Sequence, residues 1–130
     1  MGALSVPASG RVYVDANIVI YAVERIEPYR TVLEPLWQAA QQRQISLVTS
    51  ELTWLETLVK PLRDNNIHLE ALFRSFLTAQ EMMLIPATLS IWEHAARLRG
   101  LGLKTPDALH AATASTVGCS LLVTNDPIFQ

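Results

Sequence analysis

Apolar residues along the chain form short uninterrupted runs that alternate with longer segments of helical periodicity. The runs lie in "RVYV", "QISLVTS", "EMMLIPA" and "CSLLVTND", and their continuous apolar stretches are typical of strands that are buried on both faces. Between the first two runs, apolar residues recur at three- and four-residue spacing (Leu33, Leu36, Trp37 and Ala40), which indicates a helix with one apolar face. Strands that alternate with helices in this way predict an α/β fold, in which a parallel sheet of four strands carries helices on both faces.

Composition narrows the class of protein. The chain has 130 residues, of which 50% are hydrophobic and 17% are charged, against roughly 25% charged in an average soluble protein. We therefore expect part of the surface to be covered by a second copy or by another protein. The net charge of −2 excludes a protein that coats nucleic acid through a general basic surface, so any nucleic acid would be bound through local arginines or metal ions.

Cysteine usage and the amino-terminal segment predict a cytoplasmic protein. Cys119 is the single cysteine, which excludes a disulfide framework within the chain and fits a reducing compartment. Residues 1–10 lack the basic and apolar regions of a signal peptide, and no apolar run reaches the ~18 residues of a membrane span. We expect residues 1–10 to be a flexible leader and residues 11–130 to form one domain.

The positions of the acidic residues give the first indication of chemistry. Asp15 and Asp126 directly follow the first and the last predicted strand, and two carboxylates at adjacent strand ends repel each other unless cations lie between them. Asp107 stands near the start of the helix before the last strand, which by itself would place it at the far edge of the sheet. A long or tilted connection would bring it to the same edge as Asp15, and the spacing leaves this open. Each acid also has a simpler interpretation, as a helix cap for Asp15, a helix-dipole partner for Asp107 and a turn former for Asp126.

Two residues on predicted helices are further candidates. Glu56 lies at the edge of the apolar arc of its helix, where it either reaches inward or pairs on the surface with Lys60 four residues later. His110 follows Asp107 by three residues, and we expect it to be a core histidine rather than a support for the acids. Clustered carboxylates without cysteine favour Mg²⁺ or Mn²⁺, and such ions suit the hydrolysis of phosphodiesters.

Four segments of the chain, "YVDANIVIYAVE", "SELTWLETLVKPLRD", "LKTPDALHAATA" and "LLVTND", together resemble the PIN-domain ribonucleases, and most closely the VapC-type toxins of bacterial toxin–antitoxin pairs. They follow the family's order and cover about residues 11–129. The resemblance implies a three-layer α/β/α fold whose sheet edge brings four catalytic and metal-binding acids together: Asp15, Glu56, Asp107 and Asp126. It also implies supporting polar roles for Asn17, Thr124 and Asn125.

The same resemblance implies an endoribonuclease that uses Mg²⁺ or Mn²⁺ to hydrolyse RNA phosphodiesters, forms a homodimer and is bound by a cognate antitoxin protein. The family's sheet normally has five strands, and this chain stops at Gln130, before the expected edge strand. Arg63 and Lys104 lie near loops at the predicted acidic edge, so they are the cations we expect to contact RNA phosphates.

Two other functions fit parts of the pattern. A metal-dependent phosphatase of the strand-Asp-x-Asp type would need a second aspartate where Asn17 stands. A catalytically silent PIN-like module that binds RNA or protein is disfavoured because all four acids of the motif are present. The sequence therefore favours a toxin ribonuclease and leaves its RNA target undefined.

Overall fold

The computed structural model describes residues 4–124, so the predicted site residues Asn125 and Asp126 lie outside the described part of the chain. The strands are β1 (Arg11–Val14), β2 (Ser46–Ser50), β3 (Met82–Ile85) and β4 (Leu121–Val123). The helices are α1 (Ala16–Val23), α2 (Tyr29–Gln41), α3 (Glu51–Arg63), α4 (Ile67–Leu77), α5 (Leu89–Gly100) and α6 (Thr105–Thr116). Strands and helices alternate as the sequence predicts.

The four strands form one parallel sheet in the order β3-β2-β1-β4. The chain moves outward from β1 through β2 to β3 and then returns to the other side of β1, where it forms β4. The neighbouring strands β1 and β4 therefore lie at a topological switch point, and open parallel sheets bind ligands outside the carboxyl ends of the strands at such a point. This topology confirms the predicted α/β fold with a parallel sheet.

Helices cover both faces of the sheet. Successive side chains of β1 point to opposite faces, so each of the two helical layers packs against different residues of this strand. Val12 and Val14 belong to the core cluster beneath α1 to α4, whereas Tyr13 packs with Val48 and Ala114 on the face covered by α6. Helix α5 packs against α6 on this second face. The three layers place the carboxyl end of β1 between the two groups of helices.

The described part of the leader contacts the domain. Leu4 and Val6 pack against the larger core cluster, and the Gln44 side chain donates a hydrogen bond to the Pro7 carbonyl at 3.0 Å. The division into a flexible leader and a domain that begins at residue 11 stays a prediction.

Capping residues set the starts of the helices that surround the site. Asp15 caps α1, and Ser50 caps α3, each accepting a hydrogen bond from a backbone N–H of the first turn. Helix α6 begins after Lys104, whose carbonyl accepts the Ala108 N–H at 2.8 Å. Asp107 therefore lies in the first turn of α6, where the helix dipole favours a negative charge. In residues 4–124 no helix is both long enough and apolar enough to cross a membrane.

Candidate active site at the carboxyl edge of the sheet

Asp15 stands at the junction of β1 and α1 and has two fixed hydrogen-bond partners. Its Oδ1 accepts the Ile18 N–H at 3.1 Å, and its Oδ2 accepts the Thr124 hydroxyl at 2.5 Å. An ionised carboxylate has about four acceptor positions, so these two bonds leave acceptor capacity on both oxygens. The helix-cap interpretation is thus correct for Asp15, and it does not exclude a second role in the cleft.

The environment of Asp15 disfavours its charged form. Burial raises the pKa of this carboxyl above its ordinary value, and the negative charge of Glu56 acts in the same direction. The hydrogen bonds from Thr124 and Ile18 oppose that shift without cancelling it. A cation near Asp15 would relieve the remaining cost of keeping the carboxylate ionised.

Glu56 turns inward from α3. Its Oε1 lies 2.8 Å from His110 Nε2, and its side chain is 29% exposed. Lys60, the alternative partner one turn further along α3, instead contacts the Glu24 carboxylate at 3.4 Å. The structure therefore replaces the local Glu56–Lys60 pair with a long-range contact to α6.

One cleft brings the predicted acids from three elements together. It is lined by Asp15 and Asn17 at the start of α1, by Glu56 on α3 and by Asp107 on α6, together with Ala16, Pro106 and His110. Asp107 thus lies at the same edge of the sheet as Asp15, which answers the question that the sequence spacing left open. The cleft measures about 60 Å³, which leaves room for a few water-sized groups.

The carboxylates of this cleft and the Asn17 amide offer oxygen donors and no thiolate, which fits a hard divalent cation. His110 also lines the cleft, with its Nε2 directed at Glu56. Among residues 4–124, however, no three Asp, Glu, His or Cys side chains stand close enough to hold one ion directly between them. The predicted fourth acid, Asp126, lies outside the described residues.

The predicted RNA-contacting cations lie on the surface. Arg63 ends α3, and its Nε contacts the Asp64 carboxylate at 3.0 Å. Lys104 is exposed immediately before α6. Within residues 4–124 both lie outside the set of residues that line the cleft. Their contact with RNA phosphates stays a prediction.

Two residues of the site have a larger part in it than the sequence motifs indicate. His110 is 5% exposed, as expected of a core histidine, but it also lines the cleft and contacts Glu56. Tyr13 lies behind it, fully buried, with its hydroxyl 2.5 Å from His110 Nδ1. The available signals were the three-residue spacing from Asp107 to His110 and a tyrosine in an otherwise aliphatic buried strand.

Comparison with known proteins identifies the family. Residues 12–130 match the PIN domain, and the chain belongs to the PIN-domain family. Proteins of this family are typically nucleases and generally bind divalent metals. The family membership implied by the sequence motifs is thereby confirmed.

The fold is similar to those of chains in two solved complexes. One is VapBC2 from Rickettsia felis bound to a DNA fragment from their promoter, with a TM-score of 0.70, 20% identity, and coverage of 92% of this chain and 90% of that chain. The other is a toxin–antitoxin complex from Klebsiella pneumoniae, with a TM-score of 0.64, 25% identity, and coverage of 88% and 86%. A comparison with curated protein sequences finds no significant match.

Proposed function

We propose that this chain is a Mg²⁺- or Mn²⁺-dependent endoribonuclease that acts as the toxin of a type II toxin–antitoxin pair. The observation that carries the proposal is the cleft at the switch point of the sheet, which is lined by Asp15 at the end of β1, Glu56 on α3 and Asp107 on α6. Burial is the main cause of the raised pKa of Asp15, and a cation in the cleft would stabilise the ionised form of this carboxyl. Similarity of the fold to chains of toxin–antitoxin complexes supports the toxin role.

The residues of the cleft would have different roles in such a site. Asp15, Glu56 and Asp107 would hold the ion together with Asp126, which the family motif assigns to the same set. When bound, a divalent ion activates water and neutralises charge on the scissile phosphate. Thr124 fixes the second oxygen of Asp15, and the exposed Asn17 offers an amide to a substrate at the mouth of the cleft.

Protein partners are part of the proposal. The fold resemblance suggests a cognate antitoxin, and the motif resemblance suggests a homodimer. Helix α3 exposes Leu55, Val59 and Leu62 at 59%, 51% and 51%, and their four- and three-residue spacing places them on one face of the helix. An exposed apolar face of this kind is typical of a protein–protein contact. Because its proposed substrate is cellular RNA, we assign the protein to the cytoplasm.

A cleavage assay tests the nuclease. Purified protein is expected to cut RNA with Mn²⁺ or Mg²⁺, to lose activity in EDTA and to regain it when the ion is restored. Asp15→Asn is expected to abolish cleavage while the fold survives, because asparagine caps a helix about as well as aspartate. The matched control is Glu34→Gln, which changes an exposed acidic residue of α2 outside the cleft and should leave the activity unchanged. Cleavage that persists in EDTA or in Asp15→Asn would refute the metal mechanism.

Expression in a bacterial host tests the toxin role. We expect growth arrest that is relieved when the product of the neighbouring reading frame is made together with this chain. A protein that is harmless and forms no complex with that product is not a toxin. RNA that binds in the presence of Mn²⁺ and stays intact would instead identify a silent PIN-like binding module.

A further inference from the structure

A continuous line of hydrogen-bonding groups connects the interior of the sheet to Glu56. The Ser50 N–H, at the carboxyl end of β2, donates to the Tyr13 hydroxyl oxygen at 3.1 Å. That oxygen lies 2.5 Å from His110 Nδ1, and the other ring nitrogen, Nε2, lies 2.8 Å from Glu56 Oε1. Tyr13 is fully buried and His110 is 5% exposed, so these groups have little access to water.

The direction of the protons along this line follows from the number of donors. A phenol keeps its proton at neutral pH. Its oxygen accepts the Ser50 N–H, and the short distance to His110 Nδ1 directs its single proton there. The Thr49 hydroxyl also interacts with this phenol, and its own proton goes to the Val14 carbonyl at 2.7 Å. A neutral imidazole whose Nδ1 accepts a hydrogen bond carries its own proton on Nε2. The Nε2–H then donates to the Glu56 carboxylate.

We propose that Tyr13 and His110 are positioning residues that hold the Glu56 carboxylate in one orientation from inside the core. The Nε2–H of His110 occupies Oε1 and leaves Oε2 for the cleft. Outer partners of this kind orient a metal-binding group and fix the tautomer of the histidine that contacts it. The functional part of this inference rests on the proposed nuclease, because Glu56 is assigned to its metal site there.

The arrangement gives β1 a second contribution to the cleft. Asp15 follows the strand directly and is held by the Thr124 hydroxyl and the Ile18 N–H. Tyr13, two residues earlier, points to the opposite layer and acts on Glu56 through His110. Strand β1 thus helps to position two carboxylates of the cleft, Asp15 directly after the strand and Glu56 on α3.

The tautomer of His110 is directly measurable. We expect a long-range ¹H–¹⁵N spectrum of the metal-free, ¹⁵N-histidine-labelled protein to show His110 as a single Nε2–H tautomer. The chain has three histidines, so His110→Gln assigns the signals, and His68 and His94 serve as internal references. Tyr13→Phe removes the donor to Nδ1 and is expected to turn the fixed tautomer into a mixture. A His110 that carries its proton on Nδ1 would overturn the proposal.

Metal affinity tests the functional consequence with a matched pair of variants. His110→Leu removes the donor to Glu56, whereas His110→Gln keeps an amide N–H near the position of Nε2. We expect His110→Leu to weaken Mn²⁺ binding about tenfold or more and His110→Gln to weaken it much less, as measured by the electron paramagnetic resonance signal of free Mn²⁺. If His110→Leu fails to fold, Tyr13→Phe serves as the second variant and is also expected to bind Mn²⁺ more weakly.

The outcomes separate this inference from the nuclease proposal. Wild-type affinity for Mn²⁺ in a folded His110→Leu protein, or equal losses in the leucine and glutamine variants, would contradict the positioning role. A wild-type protein that leaves RNA intact while His110 keeps its Nε2–H tautomer would refute the nuclease and still support the fixed orientation of Glu56.

Discussion

Thr124→Val tests the electrostatics of Asp15 with almost no change in side-chain shape. The substitution removes the hydroxyl that donates to Asp15 Oδ2 at 2.5 Å and puts a methyl group in its place. Thr124 is 7% exposed, so water has little access to replace the lost donor. A hydrogen bond to a charged group contributes about 1.5–3 kcal/mol, and we expect Thr124→Val to lower the free energy of unfolding of the metal-free protein by about that amount at neutral pH.

The pH dependence of this loss has a defined sign. Burial already raises the pKa of Asp15 from 3.8, and the Thr124 bond partly opposes that shift, so removing the hydroxyl raises the pKa further. For a carboxyl with a raised pKa, stability is fully present below the pKa of the unfolded chain and is lost as the pH rises through the folded value. The difference between wild type and Thr124→Val should therefore be largest near neutral pH and shrink toward about pH 4.

Urea unfolding at neutral and acidic pH measures both effects, and Thr124→Ser is the control because serine keeps the donating hydroxyl. The Thr124→Val protein should be less stable than the Thr124→Ser protein at neutral pH. The onset of Mn²⁺ binding should move to higher pH in the Thr124→Val protein. Equal stability of the two variants at neutral pH, or a difference that does not shrink in acid, would refute the assigned role of the hydroxyl.

Four further predictions concern the core, a helix cap, the surface and the cysteine. Phe73→Ala should lower the free energy of unfolding by about 3–5 kcal/mol, since Phe73 is 1% exposed; a loss below about 1 kcal/mol in urea unfolding would contradict its core position. Thr88→Ala should cost about 1 kcal/mol, because Thr88 accepts the Ile91 N–H at 3.3 Å, and thermal unfolding measures this. Lys104→Ala should leave stability within about 0.5 kcal/mol and reduce the salt dependence of RNA binding by about one unit if the lysine contacts a phosphate; an unchanged slope would exclude that contact. Partial burial raises the pKa of the Cys119 thiol to about 11, so iodoacetamide should alkylate it slowly near pH 8 and faster as the pH rises toward the pKa; rapid labelling near pH 8 would contradict the raised pKa.

The layered fold was predictable because strands buried on both faces must be apolar throughout, which makes them distinct from amphipathic helices. The edge on which Asp107 lies was not predictable from spacing. A single connecting helix would start at the carboxyl edge and finish at the amino edge, but two helices connect β3 to β4. The second of them, α6, begins beside the same cleft as α1.

The contact partner of Glu56 also could not be predicted from the local spacing of residues along the helix. A helical wheel gives the direction of a side chain, and Lys60 at the following turn was as good a partner as any inward group. The contact that forms instead joins residues 54 positions apart, and the contact behind it, from His110 to Tyr13, spans 97 positions. Such pairs depend on how the layers stack, so the contacts of Glu56 with His110 and of His110 with Tyr13 could not be predicted from the sequence, whereas Thr124, which the motif resemblance proposed as a supporting residue, does contact Asp15.

The register of the four-residue strand β1 sets the positions of the side chains that form and support the cleft. Tyr13 is in register with Val48 of β2 and Leu122 of β4, and this pairing turns its hydroxyl toward α6. If β1 slipped by one residue, Tyr13 would exchange layers with the valines on either side, because side chains alternate along a strand. Glu56 would lose its support from the core, and Asp15 would be displaced relative to Thr124. A deletion within β1 would therefore inactivate the site even though every acidic residue stayed in the chain.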